Sequence, residues 1–145
     1  MTVIAWDGKT LAADKQTSFG STKTTTTKIF KIYGALIGSA GISVHCAAMA
    51  EWFRGGRIED KFPAFQKNND TSVDVICIEP DGRCHVFQTS HIPVLIEEKF
   101  MALGSGSNYA LGAMYLGKTA REAVDVACAL DSGCGRGIDT LELAE

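Results

Sequence analysis

The chain has 145 residues, 46% of them hydrophobic and 21% charged, which suits one compact domain with an ordinary core; residues 1–145 are read as a single domain. A formal net charge of -3 supplies no basic surface for a phosphate backbone or an anionic membrane, so neither nucleic acid nor a membrane is an expected partner. The five cysteines (Cys46, Cys77, Cys84, Cys128 and Cys134) are odd in number and lack the spacing of a metal knuckle or redox motif, which favours reduced thiols in a cytoplasmic protein.

The opening MTVIAWDG has no basic region followed by a long apolar run, so it does not read as a secretory signal. Residues 2–6 and 10–13 are short apolar runs around Asp7-Gly8, which predicts an opening hairpin. The alternating KIFKIY at 28–33 leads through Gly34 into residues 35–38 and predicts a second pair of strands. Residues 35–50 are the most apolar stretch, but Gly38, Ser39, Gly41, Ser43 and His45 make it too mixed to cross a bilayer. Ser43 is placed as the cap of a helix running to about Arg54, with Val44, Ala47, Ala48 and Trp52 on one face and Gly55-Gly56 as its stop.

Residues 72–78 and 83–88 flank Pro80-Asp81-Gly82 as another hairpin, to which residues 100–103 add a strand of a second sheet ending in Gly104-Ser105-Gly106. Two helices are expected at 107–116 and 120–130, joined at Gly117, the second opening with Thr119 and Glu122 at capping-box spacing. Gly133 and Gly135 break it, and residues 137–143 return as a last strand. Strands, helix, strands, two helices and a strand predict an α+β fold of segregated layers, two antiparallel sheets between helix layers, in place of a doubly wound parallel sheet.

Two motifs point to nucleotides and are set aside. Gly112 to Thr119 reads GAMYLGKT and satisfies the phosphate-loop pattern, but Met114, Tyr115 and Leu116 continue an apolar helical face and Gly117 serves better as a helix stop. Gly104-Ser105-Gly106 follows a strand as a dinucleotide fingerprint would, yet Tyr109 occupies the third glycine position. His45, His85 and His91 have no ligand spacing, so no metal and no other cofactor is expected.

Thr2 follows the initiator methionine. An N-terminal threonine supplies both halves of nucleophilic catalysis: its hydroxyl attacks a carbonyl, and its own α-amine, of ordinary pKa about 7.7 to 8.0, takes the proton. A small second residue permits removal of Met1.

Thr2-Val3-Ile4-Ala5, Ala12-Ala13-Asp14, Lys28-Ile29, Gly38-Ser39-Ala40-Gly41, Gly104-Ser105-Gly106 and Asp131-Ser132-Gly133-Cys134-Gly135 together resemble the proteasome β-subunit family of N-terminal-nucleophile hydrolases, particularly its HslV-type bacterial branch. Each piece alone has a plainer reading: a surface ion pair, a turn glycine, a loop serine, a solvated carboxylate. The ordered set, spanning nearly the whole chain, carries the resemblance.

The resemblance implies a four-layer αββα sandwich and a threonine endopeptidase. It makes Thr2 nucleophile and base, Lys28 the cation that keeps the α-amine neutral, and Asp14 the partner of Lys28. Gly38 corresponds to the glycine whose backbone N–H stabilises the oxyanion. Ser105 and Asp131 match residues that orient the amine. Cys134 stands where the family usually has a serine, and its thiol is a weaker hydrogen-bond donor. The resemblance further implies polypeptide substrates, a homo-oligomeric ring and a separate AAA+ unfoldase ATPase. A bacterial or phage source fits such a minimal chain. The alternatives are a catalytically silent ring or binding protein that keeps Met1, and a small-amide hydrolase of the same superfamily.

Overall fold

A computed structural model describes residues 1–64 and 73–143. The described residues are mixed α+β, with three α-helices and antiparallel sheets. Its elements are β1 (Ile4–Trp6), β2 (Thr10–Asp14), β3 (Gln16–Phe19), β4 (Thr22–Thr25), β5 (Ile29–Ile32), β6 (Ala35–Gly41), α1 (Ser43–Arg54), β7 (Val73–Ile78), β8 (Cys84–Phe87), β9 (Val94–Ile96), β10 (Met101–Leu103), α2 (Ser107–Tyr115), α3 (Ala120–Leu130) and β11 (Ile138–Glu142).

The opening hairpin forms where Asp7-Gly8 predicts it. Gly8 takes φ +95°, open to glycine at low cost, and the Asp7 carboxylate caps the turn by accepting from the N–H of Lys9 and Thr10. β1 and β2 lie at the centre of a sheet ordered β10-β1-β2-β11. A second sheet runs β5-β6-β7-β8-β9, and β3-β4 forms a separate ribbon.

Three apolar clusters hold these parts together. Ala5, Ala12 and Ala102 of the first sheet pack on Ala113, Val124 and Ala127 of α2 and α3. Ile4, Trp6 and Leu11 of the same sheet meet Ile29, Leu36, Ile76 and Ile78 of the second. The other side of the second sheet, through Ile37, Val75 and Phe87, covers Met49, Trp52 and Phe53 of α1. Trp52 packs edge-to-face on Phe53 and Phe87 at 5.1 and 5.7 Å, contacts worth about 0.5 to 1.5 kcal/mol each beyond the buried area.

Several expectations need correction. The strand at Met101–Leu103 belongs to the first sheet, paired with β1, because Ala102 and Leu103 fit that sheet's buried surfaces. The β5-β6 pair is continuous with β7-β8, so it opens the second sheet. Ser43 does not cap α1: Ile42 occupies the cap position, and the Ser43 hydroxyl lies 3.4 Å from Thr17 Oγ1. The buried face of α1 is Met49, Ala50, Trp52 and Phe53, while Val44 is exposed. Ser72, expected at the start of the third hairpin, lies outside the described residues.

The capping box on α3 forms as expected, Thr119 and Glu122 exchanging side-chain to backbone bonds. At Gly117 the chain takes φ +93°, and the N–H groups of Gly117 and Lys118 close on the carbonyls of Met114 and Ala113. This paired closure is a helix stop, so GAMYLGKT is a helix end and its Lys118 N–H is taken up by that helix's own carbonyl.

Candidate active site

Thr2 lies two residues before the start of the central strand β1 and is 7% exposed. Its backbone is gripped from two sides. The Gly106 N–H donates to the Thr2 carbonyl at 3.1 Å, and the Val3 N–H donates to Asp14 Oδ1 at 3.1 Å. Gly104, at φ +93°, lies so close that a Cβ there would overlap the Thr2 carbonyl, which is why the loop beside residue 2 carries glycine.

Asp14 ends β2 and is fully buried, where an unsatisfied carboxylate costs several kcal/mol. Four donors meet it: Lys28 Nζ at 2.7 Å and Val3 N–H on Oδ1, and the N–H groups of Gln16 at 3.2 Å and Gly135 at 3.0 Å on Oδ2. Lys28 stands just before β5 with its side chain 6% exposed. Its ammonium also donates to Thr2 Oγ1 at 3.0 Å and to the Met1 carbonyl at 3.2 Å. A cation held this way favours any negative charge that develops on Oγ1.

A second chain of bonds reaches Thr2 from the other side. The Thr2 N–H points at Ser105 Oγ, 3.4 Å away, and Ser105 donates to Asp131 Oδ2 at 2.8 Å. Asp131 closes α3, where a carboxylate opposes the helix dipole, and its Oδ1 is turned to the Gly133 N–H at 2.8 Å. The Gly133 N–H and then the Ser105 hydroxyl hold its pKa below the usual carboxylate value. Cys134 Sγ lies 3.6 Å from Asp131 Oδ2, and burial pushes this thiol up to about 12, so it is a protonated donor.

Six of the seven residues singled out in the sequence, Thr2, Asp14, Lys28, Ser105, Asp131 and Cys134, therefore join in one network. Gly38 does not. It sits within β6, opposite Ile29 of β5 and Ile76 of β7, and a Cβ there would meet Ile29 Cγ2 at 3.0 Å and Ile4 at 3.2 Å. Its lack of a side chain serves the packing between the sheets. The glycine of the Gly38-Ser39-Ala40-Gly41 run that lines the cavities with Thr2 is Gly41, at the strand end with φ +132°.

Gln16, not singled out in the sequence, is 5% exposed and bridges the two halves of the network. Its backbone N–H holds Asp14, while its Nε2 donates to the Ser132 carbonyl at 3.0 Å in the loop that carries Asp131. The two-residue step from Asp14 to Gln16 is the only sequence sign of this.

Thr2 lies in the walls of two cavities. The larger, about 550 Å³, runs between the β3-β4 ribbon and α1, past Thr26, Lys28 and Ser39 to Phe30, Ala47 and Arg54. Arg54 is paired with Glu51 at 2.8 Å and lies over the Phe30 ring at 5.0 Å. The smaller, about 320 Å³, is bounded by Met1, Gly41, Ile42, Gly104 and Ser105.

No protein-family model and no curated protein matches the chain. Solved structures do. One of Thiobacillus denitrificans BPH superposes with a TM-score of 0.73 at 22% identity, covering 99% of this chain and 98% of that one. Another, of Thiobacillus denitrificans BPH in complex with epoxomicin, gives 0.72 at 20%, covering 99% of each. At such identities the likeness is one of fold.

Proposed function

We propose that the chain is an N-terminal threonine peptidase of the proteasome β-subunit type, formed when Met1 is removed, with the three apolar clusters as the seams of a single αββα domain. The observation that carries this reading is the Lys28 ammonium, fixed by buried Asp14 and set 3.0 Å from the hydroxyl of Thr2 in the wall of a substrate-sized cavity. The epoxomicin complex of the structural neighbour supports it, since a peptide epoxyketone needs both a free amine and a hydroxyl on one threonine.

In this mechanism the free α-amine takes the proton of Thr2 Oγ1 as Oγ1 adds to the substrate carbonyl. Lys28 offsets the charge at Oγ1, and the Gly41 N–H, in place of Gly38, faces the oxyanion. The C–N bond then breaks, and the departing amine takes the proton back from the Thr2 ammonium. Water adds to the remaining ester, giving its proton to the amine, and the acid product leaves with Thr2 restored. Ser105, Asp131 and Cys134 orient the amine. Unfolded polypeptide is the substrate class, in a homo-oligomeric ring served by a separate AAA+ unfoldase. Among the described residues no helix is long and apolar enough to cross a membrane.

Intact mass before and after a peptide epoxyketone tests the reading. The expected outcome is one adduct on a chain lacking Met1 and none on Thr2→Ala. A chain that keeps Met1 throughout would instead indicate the structural ring protein, and turnover of simple amides without cleavage of unfolded protein the small-amide hydrolase.

A further inference from the structure

Resting on that reading, we propose that the place taken by Met1 is the subsite for the substrate residue on the leaving side of the cleaved bond, and that it selects an apolar side chain of about methionine size that is not branched at Cβ. Two observations meet here. Met1 is an acyl group on the very nitrogen that acts as base, with its carbonyl held by Lys28 Nζ at 3.2 Å and its residue walling the smaller cavity beside Ile42, Gly104 and Ser105. Its side chain lies directly on the bare backbone of Gly133, where a Cβ would overlap Met1 Sδ.

The chemistry ties this place to the leaving group. The Thr2 amine must hand its proton to the departing nitrogen, so that nitrogen comes within hydrogen-bond reach of the amine, on the side that Met1 leaves open when it is removed. The residue carrying the departing nitrogen then follows the path of Met1 across Gly133. The side-chain preference follows from the walls. A Cβ on Gly133 would also crowd Met1 Cβ and lie 2.9 Å from its Cγ, so the side chain in this place runs close over the Gly133 backbone, a path that a straight chain suits better than one branched at Cβ. Asp74 lines the cavity and Asp131 lies two residues from Gly133, which opposes an acidic side chain. Met1 is 70% exposed, so the subsite is shallow and its discrimination modest.

Gly133 is outside the positive-φ set, so a side chain is admissible there, and substitution keeps the N–H that Asp131 accepts. The test uses the full chain lacking Met1 and quenched fluorescent peptides that differ only in the residue after the cut. Wild-type protein should favour methionine or leucine over valine about fivefold in kcat/KM, with aspartate lowest. Gly133→Leu should invert the order toward glycine and alanine, and Gly133→Ala should shift it the same way by less. A peptide epoxyketone carries no residue on the leaving side, so its adduct reports on the nucleophile alone. Adduct formation with flat preferences, or preferences that both Gly133 variants leave as they were, overturns the subsite by itself. Absence of an adduct on Met1-free wild type overturns the peptidase reading and the subsite with it.

Discussion

Two ion-pair units flank the second sheet, and they are built alike. In one, Arg57 grips Glu79 through two 2.8 Å bonds, and Glu79 also receives His85 Nδ1 at 2.9 Å. In the other, Lys28 grips buried Asp14. The difference lies in where the cation's remaining donors go. Arg57 also reaches Cys77 Sγ and lies 4.9 Å over the Phe53 ring, so its other contacts bind it to the fold. Lys28 sends its remaining donors to Thr2 Oγ1 and the Met1 carbonyl in a cavity wall. Burial of a pair says little about its purpose; the direction of its unused valences says more.

The contrast breaks if the Lys28 unit proves to be only structural. Lys28→Met keeps the length of the side chain and removes the charge; kcat is expected to fall on the order of a thousandfold, with thermal stability measured alongside. A loss of stability with turnover per folded molecule unchanged would dissolve the distinction.

The Arg57 unit should behave in the opposite way. Glu79→Gln is expected to cost about 2 to 3 kcal/mol of unfolding free energy in urea titrations and to leave kcat alone. Arg57 first, then His85, draw the Glu79 pKa from 4.5 down to about 2. Because the folded-state value is depressed, its stabilisation is complete above pH 4.5 and is lost as pH falls toward about 2. The stability gap between wild type and Glu79→Gln should therefore close with acid across that window.

The smallest expected effect sharpens the picture within the site. Ser105→Ala removes the hydroxyl between the Thr2 nitrogen and Asp131, and kcat should drop about tenfold at nearly constant KM, the mark of a lost orienting group. A change confined to KM would reassign Ser105 to substrate binding.

Much of this arrangement was legible because it is local. The Asp7-Gly8 turn, the Thr119/Glu122 box and the Gly117 stop are each set by residues within a few positions of one another. The ribbon of β3 and β4 escaped notice since QTSF and TKTT are polar, mostly exposed and carry no alternating burial signal. The sheet membership of β10 is a long-range matter that no window of sequence holds. At the site, order along the chain was enough to gather Thr2, Asp14, Lys28, Ser105, Asp131 and Cys134. It did not bring in Gly38, which lies inside β6, while Gly41 three residues on lines the cavities with Thr2, because a glycine inside a strand and one at its end look alike until the strand's end is known.

Chain ends ordinarily fray, and a residue that must act from a terminus risks wandering. Here the stretch behind Thr2 is sewn into the middle of a sheet: Gly106 holds the carbonyl of residue 2, Asp14 takes the Val3 N–H on its carboxylate and returns its own N–H to the Val3 carbonyl at 3.2 Å, and β1 runs between β10 and β2. The Met1 removal proposed above would therefore free an amine without loosening the backbone behind it, and the amides of Val3 and Ile4 should exchange with solvent as slowly as those of an interior strand. Under the proposed function, the ordering that an enzyme usually imposes on its reacting groups at the moment of binding is, at residue 2, already complete when the fold forms.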